Sequence, residues 1–528
     1  METEVKVKHF MFRRAENEVG GVKSQVNLTK DFVRVGGFEL SFGESFDCRT
    51  IQFSAGGKAL LTSYGWQIEI GPDSISVSTD WLGLNTIFYD AVSGCGGNHH
   101  NALGQLSEID LVGLDLYLRY GYCCLGRTPF KNVYFLQATE RILLREGKVN
   151  QYSRKDPLID YVNRIHSSEE EIIFLIRDWF RKVHGQDESP IIIPLTAGYD
   201  SRLLTSICRD VFPSREIFSP TFSVAAIAGW SYEVVVARRV SQLLSTRHQA
   251  IPLDLKEWNK KINQWIDYRG FSSHAHGMHL IEFYERIHKI TNFRKNISGI
   301  YGDVWAGMYD PKRFASANND FDPYFNPHRN TYNKQLNLKE SRELVADSIA
   351  KVTNELPECV AHTVLMARNK IPLINYLWGI PEDLGFSTSS PYVDPEIAVA
   401  MMLMPTALRT NRKWQTDYFQ RNRLAVRVPL NPIARSNVSF AMACVNTEFE
   451  QVDESLFEGL LQKPSYATDG VMGKLRLIID IITEYVSATL KLGVIFPACK
   501  EKLSPIFDRM VKYYCLMPII RVKELTSK

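Results

Sequence analysis

The sequence predicts an α+β layer domain over residues 1–160, followed by an α/β domain over 161–528 with a parallel sheet and a mostly helical C-terminal part. Three observations predict this. Short β-rich runs broken by Gly, Asp and Ser turns fill the first part. From about residue 167, buried-type apolar strands alternate with amphipathic helices. The chain has 528 residues, 45% of them hydrophobic and 23% charged, which fits two or three folded units and excludes a disordered or collagen-like chain.

The elements follow in order. Phe38–Phe42, Thr50–Phe53, Trp66–Ile70 and Ser74–Ser78 read as strands, and Asp80–Gly83 turns into a further strand at Asn85–Tyr89. About 35 residues precede the first of these. Leu111–Tyr120 has a helical pattern. Val133–Leu136 and Arg141–Arg145 read as a strand pair closed at Gly147. The domain boundary is expected near residues 155–167. Ser167-Ser168-Glu169-Glu170 then starts a helix by capping logic, and Ile172, Ile173, Leu175, Ile176, Trp179 and Phe180 form its apolar face. Ile191–Leu195 is an uninterrupted apolar run, as in a strand covered on both faces. A helix through Leu203 and Val211, a strand at Ile217–Phe222, a helix at Tyr232–Leu244 and a strand at Ala250–Leu253 continue the alternation. Beyond about residue 310 the pattern is helical, with polar loops at Asn318–Asn333.

Charge and cysteine usage narrow the function classes. Lys plus Arg number 62 against 59 Asp plus Glu, a net charge of +3, so there is no electrostatic footprint for nucleic acid or an anionic membrane. The nine cysteines include no C-x-x-C pair, and their odd number suits reduced thiols in the cytoplasm. Met1-Glu2-Thr3-Glu4 lacks the layout of a signal peptide. The most apolar segment, Leu475–Phe496, carries Arg476, Asp480, Glu484 and Lys491 and reads as an amphipathic helix rather than a membrane span.

The most informative stretch is Thr196-Ala197-Gly198-Tyr199-Asp200-Ser201, placed between a buried strand and a helix. A helix N-terminus offers unpaired N–H groups and the positive end of the helix dipole to phosphate oxygens. Small residues at Thr196, Ala197 and Gly198 let the backbone approach an anion, and the Thr196 and Ser201 hydroxyls add donors. Asp200 would repel a bare phosphate, so it makes sense with a bridging Mg²⁺. A second Gly-containing loop carries Asp303. Loops that follow parallel strands gather at the carboxyl edge of the sheet, where two carboxylates could hold Mg²⁺ on a triphosphate.

The T-A-G-Y-D-S loop resembles the S-G-G-x-D-S loop of ATP pyrophosphatases, which split ATP between its α and β phosphates. Further motifs resemble the asparagine synthase family. They are Thr221-Phe222-Ser223 with Glu233, Ala237 and His248; Ser298-Gly299-Ile300-Tyr301-Gly302-Asp303 with Gly307 and Tyr309; and Pro391-Tyr392-Val393-Asp394, opening a helix that ends near Pro405. In the first domain, Asp80-x-x-Gly83-Leu84-x-x-Ile87-Phe88-Tyr89 and Thr128-x-Phe130-x-x-Val133 look like the family's glutaminase-like domain of stacked antiparallel sheets. The resemblance spans about residues 60–440. It implies ATP and Mg²⁺ held by Thr196, Ala197, Gly198, Tyr199, Ser201, Phe222, Ser223, Gly299 and Gly302, with Asp200 and Asp303 as metal ligands. It also implies adenylation of a carboxylate and amide formation with ammonia or another amine.

The pattern breaks in three places. Glu2 stands where glutamine-hydrolysing members expose a Cys after removal of Met1, so the first domain is expected not to hydrolyse glutamine. Cys123-Cys124 are expected to be buried and structural. Arg435-Ser436-Asn437-Val438-Ser439-Phe440 aligns with the family's R-x-K-x-x-F stretch, with Asn437 in the lysine position. Arg435 is the nearest cation and Lys413 a more distant one. Val304 replaces the glutamate usual after the second aspartate.

Other features have plainer readings. His274, His276 and His279 read as cleft or capping residues rather than metal ligands; His99 and His100 as solvated loop residues; the Lys and Arg of 409–427 as a solvated basic face; Trp258 and Trp265 as core. The expected activity is an ATP-dependent amide-forming ligase acting on a small-molecule or peptide carboxylate and an amine donor, with asparagine as one of several products open to it. The expected partners include no nucleic acid and no membrane; a homodimer or a place in a biosynthetic complex is compatible. The competing reading, motivated by Asn437 and Val304, is a catalytically weakened nucleotide-binding or scaffold protein.

Overall fold

The computed structural model describes residues 3–4, 9–15, 27–28, 31–42, 54, 58–63, 65–106, 108–164, 167–224, 231–254, 257, 260–307, 338–426, 450–453, 455–457 and 505–526. The strand expected at Thr50–Phe53, the loops at Asn318–Asn333, Trp258, Tyr309, the segment Leu475–Phe496 and the stretch Arg435–Phe440 lie outside the described residues.

Alternating side chains in the N-terminal region make two sheets that share one core. Along Trp66–Ile70, Trp66, Ile68 and Ile70 point inward and Gln67 and Glu69 outward, the period-two pattern of a sheet covered on one face. The first sheet runs Thr3–Glu4, Ala59–Ser63, Trp66–Ile70, Ser74–Thr79, Glu140–Arg145, Lys148–Ser153. Its pairs are antiparallel except for the first, which is parallel. The second sheet runs Val133–Phe135, Phe88–Asp90, Gly96–Gly97, Phe10–Arg14, Phe38–Phe42, Phe32–Val35, Asn27–Leu28 and is antiparallel throughout. Phe10, Phe12, Val33, Phe38 and Leu40 of the second sheet pack on Leu61, Trp66, Ile68, Val77 and Ile142 of the first. The Leu111–Tyr120 helix starts where Asp110 accepts from Gly113 N and stops at Gly121.

Three expectations are corrected here. Strands Phe10–Arg14 and Phe32–Val35 precede Phe38, so the early residues carry part of the second sheet. Val133–Phe135 and Glu140–Arg145 are not a hairpin: they belong to different sheets, and Glu140–Arg145 pairs instead with Lys148–Ser153 across the Glu146–Gly147 turn. The strand after Gly83 begins only at Phe88.

The second region is a parallel sheet of five strands, ordered Arg247–Leu253, Ile217–Val224, Ile191–Ile192, Lys295–Ile297, Ser387–Ser389. The central run Ile191–Leu195 is fully buried apart from Pro194, and beyond the formal strand Ile193 N and Leu195 N still donate to Phe218 O and Pro220 O. The helix Glu169–His184 is capped by Ser168, has three glutamates in its first turn and Arg181, Lys182 and His184 in its last, and buries Ile172, Ile173, Ile176 and Phe180. The helices Lys339–Glu355, Glu358–Ile374, Tyr376–Asp383, Pro395–Leu403, Lys413–Arg421 and Pro505–Thr526 supply the helical part. The short strand Ser387–Ser389 within it had no sequence signal. None of the described helices is long and apolar enough to cross a membrane.

The two regions are packed together. Leu82, Leu84, Leu116 and Leu125 sit in the same apolar cluster as Ile300, Trp305, Leu365 and Ile397. Arg368 donates to both Asp156 oxygens at 2.5 and 3.1 Å and to Trp81 O at 2.9 Å, while Trp81 Nε1 donates to Val393 O at 2.9 Å.

Candidate active site

Three strands of the parallel sheet end side by side, and the expected loops leave from those ends. The central strand leads into Thr196–Ser201, Lys295–Ile297 into Ser298–Asp303, and Ile217–Val224 carries Thr221, Phe222 and Ser223 at its carboxyl end.

The first loop holds its own shape. Thr196 N donates to Ser201 Oγ at 3.1 Å, Gly198 N donates to Thr196 Oγ1 at 3.0 Å, and the two hydroxyl oxygens lie 3.3 Å apart. One hydroxyl proton closes that pair, which leaves the other to give to a ligand. Arg202 Nη2 donates to Ala197 O at 2.6 Å, and its guanidinium lies over Tyr199 and Phe419. The helix Tyr199–Val211 begins at Gly198 with no side-chain cap, so no capping side chain takes its first-turn N–H groups.

The second loop packs directly on the first. A Cβ on Gly302 would lie 2.7 Å from Asp200 Cβ and Cγ and 2.6 Å from the Tyr392 ring, so only glycine lets the two loops approach this closely. Asp303 follows in the short helix Gly302–Trp305, whose entry residue Tyr301 has φ 69°. Tyr392, of the Pro391–Asp394 motif, donates from its hydroxyl to Asp200 O at 3.3 Å, and Trp305 Nε1 donates to Tyr392 O at 2.8 Å. Asp394 caps the helix Pro395–Leu403 by accepting from Glu396 N and Ile397 N. Three motifs far apart in sequence thus meet around Asp200.

Burial pushes the Asp200 carboxyl up to about 7; Arg412 opposes this and the Asp303 charge adds to it. Arg412 Nη1 donates to the two Asp200 oxygens at 3.3 and 3.4 Å, and Gln415 Nε2 donates to Oδ1 at 3.4 Å. Lys370, on the helix Glu358–Ile374, is buried beside Asp303; burial draws its ammonium down to about 8 and the Asp303 charge resists. Arg412, Gln415, Lys370 and Tyr392's contact with Asp200 were not foreseen. Arg412 lies in the run expected to be solvated, and that expectation fails twice: Arg409 is also buried and donates to Met402 O at 2.7 Å. Lys413, the distant candidate, is exposed and pairs with Asp417.

On the other flank, Phe222 is half-buried, with its ring 5.0 Å from His279 and 5.5 Å from Phe283. Ser223 Oγ is buried without a hydrogen-bond partner among the described residues. Thr221 Oγ1 donates to Leu195 O and lies 3.2 Å from His248 Nε2. Gly299 sits against Ser201 N and Asp200. The expected binding residues therefore sit at or just beyond the carboxyl ends of these three adjacent strands, and Arg435 is outside the described residues.

The remaining features sort as follows. Cys123 and Cys124 are buried and burial pushes both thiols up, the environment of structural cysteines. His274 packs on Gly121, and the His279 ring lies tilted beside Phe222. His100 is not solvated: it is 2% exposed, against Gly270, and burial lowers it to about 3. Trp265 is core. Val304 is buried among apolar residues. Among the described residues no group of three or more His, Cys, Asp or Glu could hold a metal ion. Mg²⁺ needs less than that, since it is usually bound by one or two carboxylates together with substrate phosphates. A partly buried aspartate packed against the loop that carries a second one fits such an ion.

No family model matches this chain, and no curated protein does. Among solved structures, the NH3-dependent NAD synthetase from Campylobacter jejuni subsp. jejuni NCTC 11168, in complex with the nitrate ion, is 15% identical with a TM-score of 0.20; the match covers 40% of this chain and 93% of that one. A likeness at that score says nothing about activity.

Proposed function

We propose that this protein is an ATP-dependent ligase that activates a carboxylate as an acyl-adenylate and joins it to ammonia or another amine. The observation that supports this most is the contact of Asp200 with the Gly302-Asp303 loop beside an uncapped helix N-terminus. Asp200 and Asp303 would hold Mg²⁺, which when bound neutralises triphosphate charge and orders the phosphates. The Thr196–Ser201 loop, clamped by Arg202, presents N–H groups and a hydroxyl to the phosphates. Phe222 and Ser223 line the side where a base would lie. The substrate carboxylate attacks the α-phosphorus, pyrophosphate leaves, and the amine then displaces AMP from the acyl carbon. The chain contributes orientation and fixed charge.

The test is product analysis with ATP, Mg²⁺, ammonium and a panel of carboxylates including aspartate. AMP and pyrophosphate in equal amounts are expected, and Asp200→Ala should lower the rate by about a hundredfold or more. ADP and phosphate as products, or an indifferent Asp200→Ala, would sink the reading. The buried Val304 favours a second one, a nucleotide-binding protein without turnover; it predicts ATP binding with no pyrophosphate release.

A further inference from the structure

Lys370 is buried on the Asp303 side, and the arginines and lysine of the first loop and of the 409–413 turn are held differently from one another. Arg202 is tied to the Ala197 carbonyl, Arg409 to Met402 O and Thr363 Oγ1, and Lys413 pairs with Asp417 on the surface. Arg412 faces Asp200, and its guanidinium also lies 5.4 Å from the centre of the Tyr199 ring. Its side chain is 18% exposed, so part of it reaches solvent. The backbone beneath it is unusual. Asn411 and Arg412 have φ of 53° and 55°, two consecutive residues in the left-handed region, where side chains are disfavoured. This turn separates the helix Thr406–Arg409 from Lys413–Arg421 and aims Arg412 at the loop. Strain of this kind persists where surrounding contacts over-determine it, and it concentrates at ligand clamps.

We propose that Arg412 is a polyphosphate-binding residue and that its pair with Asp200 is its resting position. Asp200 serves the guanidinium in the ligand-free protein. Once the carboxylate is engaged by a divalent cation carrying a triphosphate, the guanidinium turns to the β and γ phosphate oxygens that depart as pyrophosphate. Arginine suits the task because it stays charged and can bind phosphate with two parallel N–H donors. Gln415, one helical turn on, keeps a hydrogen bond on Asp200 through the exchange. This inference rests on the ATP reading above, and it supplies from the Asn411-Arg412 turn a cation that the sequence pattern lacks at Asn437.

The experiment is calorimetric titration of the full chain with Mg·ATP, Mg·pyrophosphate and AMP, in wild type, Arg412→Ala, Arg412→Gln and Arg412→Lys. Arg412→Ala and Arg412→Gln should weaken Mg·pyrophosphate and Mg·ATP about tenfold or more and leave AMP unchanged, with Arg412→Lys retaining part of the affinity. Glutamine keeps bulk over Tyr199, so loss of packing is separated from loss of charge. Unchanged pyrophosphate affinity in both variants, or an equal loss for AMP, overturns the proposal. A wild-type protein that binds neither Mg·ATP nor Mg·pyrophosphate overturns the ATP reading itself.

Discussion

A methyl group at Gly302 would collide with Asp200 Cβ and Cγ at 2.7 Å. Asp200 Cβ is fixed by its helix and the Tyr392 ring on the other side is buried, so the Gly302 loop itself would have to withdraw. Gly302→Ala is therefore expected to weaken Mg·ATP binding by about tenfold or more, with a stability loss of about 1–3 kcal/mol from overpacking. Equal nucleotide affinity in the variant would show that the two loops are not a single site. The tight turn at Thr196–Ser201 and its small residues were legible in the sequence because a strand that passes directly into a helix needs those residue types at fixed spacing. Arg412, Gln415 and Lys370 were not. Their helices carry no motif, and only tertiary packing brings them to the carboxylates; a guanidinium in a run of basic residues looks the same in sequence whether it faces water or Asp200.

At the level of elements, helix boundaries followed local rules closely. The Ser168 cap, the Gly121 stop and the Asp394 cap are side-chain or backbone devices written into a few adjacent residues. Strand partnership was harder. Val133–Phe135 and Glu140–Arg145 are neighbours in sequence and both apolar, yet the link through Gln137–Thr139 crosses from one sheet to the other, with Thr79 Oγ1 bound to Gln137 O and Thr139 at φ 66°. No local pattern encodes that crossing. One docking contact gives a pH prediction. His184, at the end of the Glu169–His184 helix, lies 2.9 Å from Ser389 Oγ of the edge strand and is 5% exposed. Burial first, then Lys295 and Arg215, lower it to about 4, with Asp187 opposing. Its folded value lies below the unfolded value near 6.5, so the unfolded chain binds the proton first. The contribution is complete above about pH 6.5 and is lost as pH falls toward 4, on the order of 2 kcal/mol. Urea midpoints at pH 7.5 and 5 should fall for wild type and fall less for His184→Asn; equal slopes would refute this.

At the scale of the molecule, the described residues of the antiparallel sheets and of the parallel-sheet region share packed contacts. The Asp80–Gly83 turn is the hinge of that packing. Asp80 accepts from Leu82, Gly83 and Leu84 N–H groups, Gly83 takes φ 76°, and Trp81 then donates to Val393 O and lies, tilted, 5.9 Å from Trp305, which donates to Tyr392 O. The first region therefore braces the back of the candidate site. Asp156→Ala leaves Arg368 buried without its bidentate partner and should cost about 3–5 kcal/mol, read as a lower urea midpoint. A change of under about 1 kcal/mol would place this pair among weak surface bridges. The two fold classes were readable from period and alternation, but this docking was not, since Arg368 and Asp156 are separated by most of the α/β region.

The central claim is that Asp200 and Asp303 form one Mg²⁺-dependent triphosphate site. Titration of Mg·ATP into wild type, Asp200→Asn and Asp303→Asn, each with and without EDTA, tests it most directly. Wild-type binding should be abolished by EDTA, and each variant should lose about tenfold or more in affinity. Binding that is indifferent to EDTA, or that survives both substitutions unchanged, would contradict it.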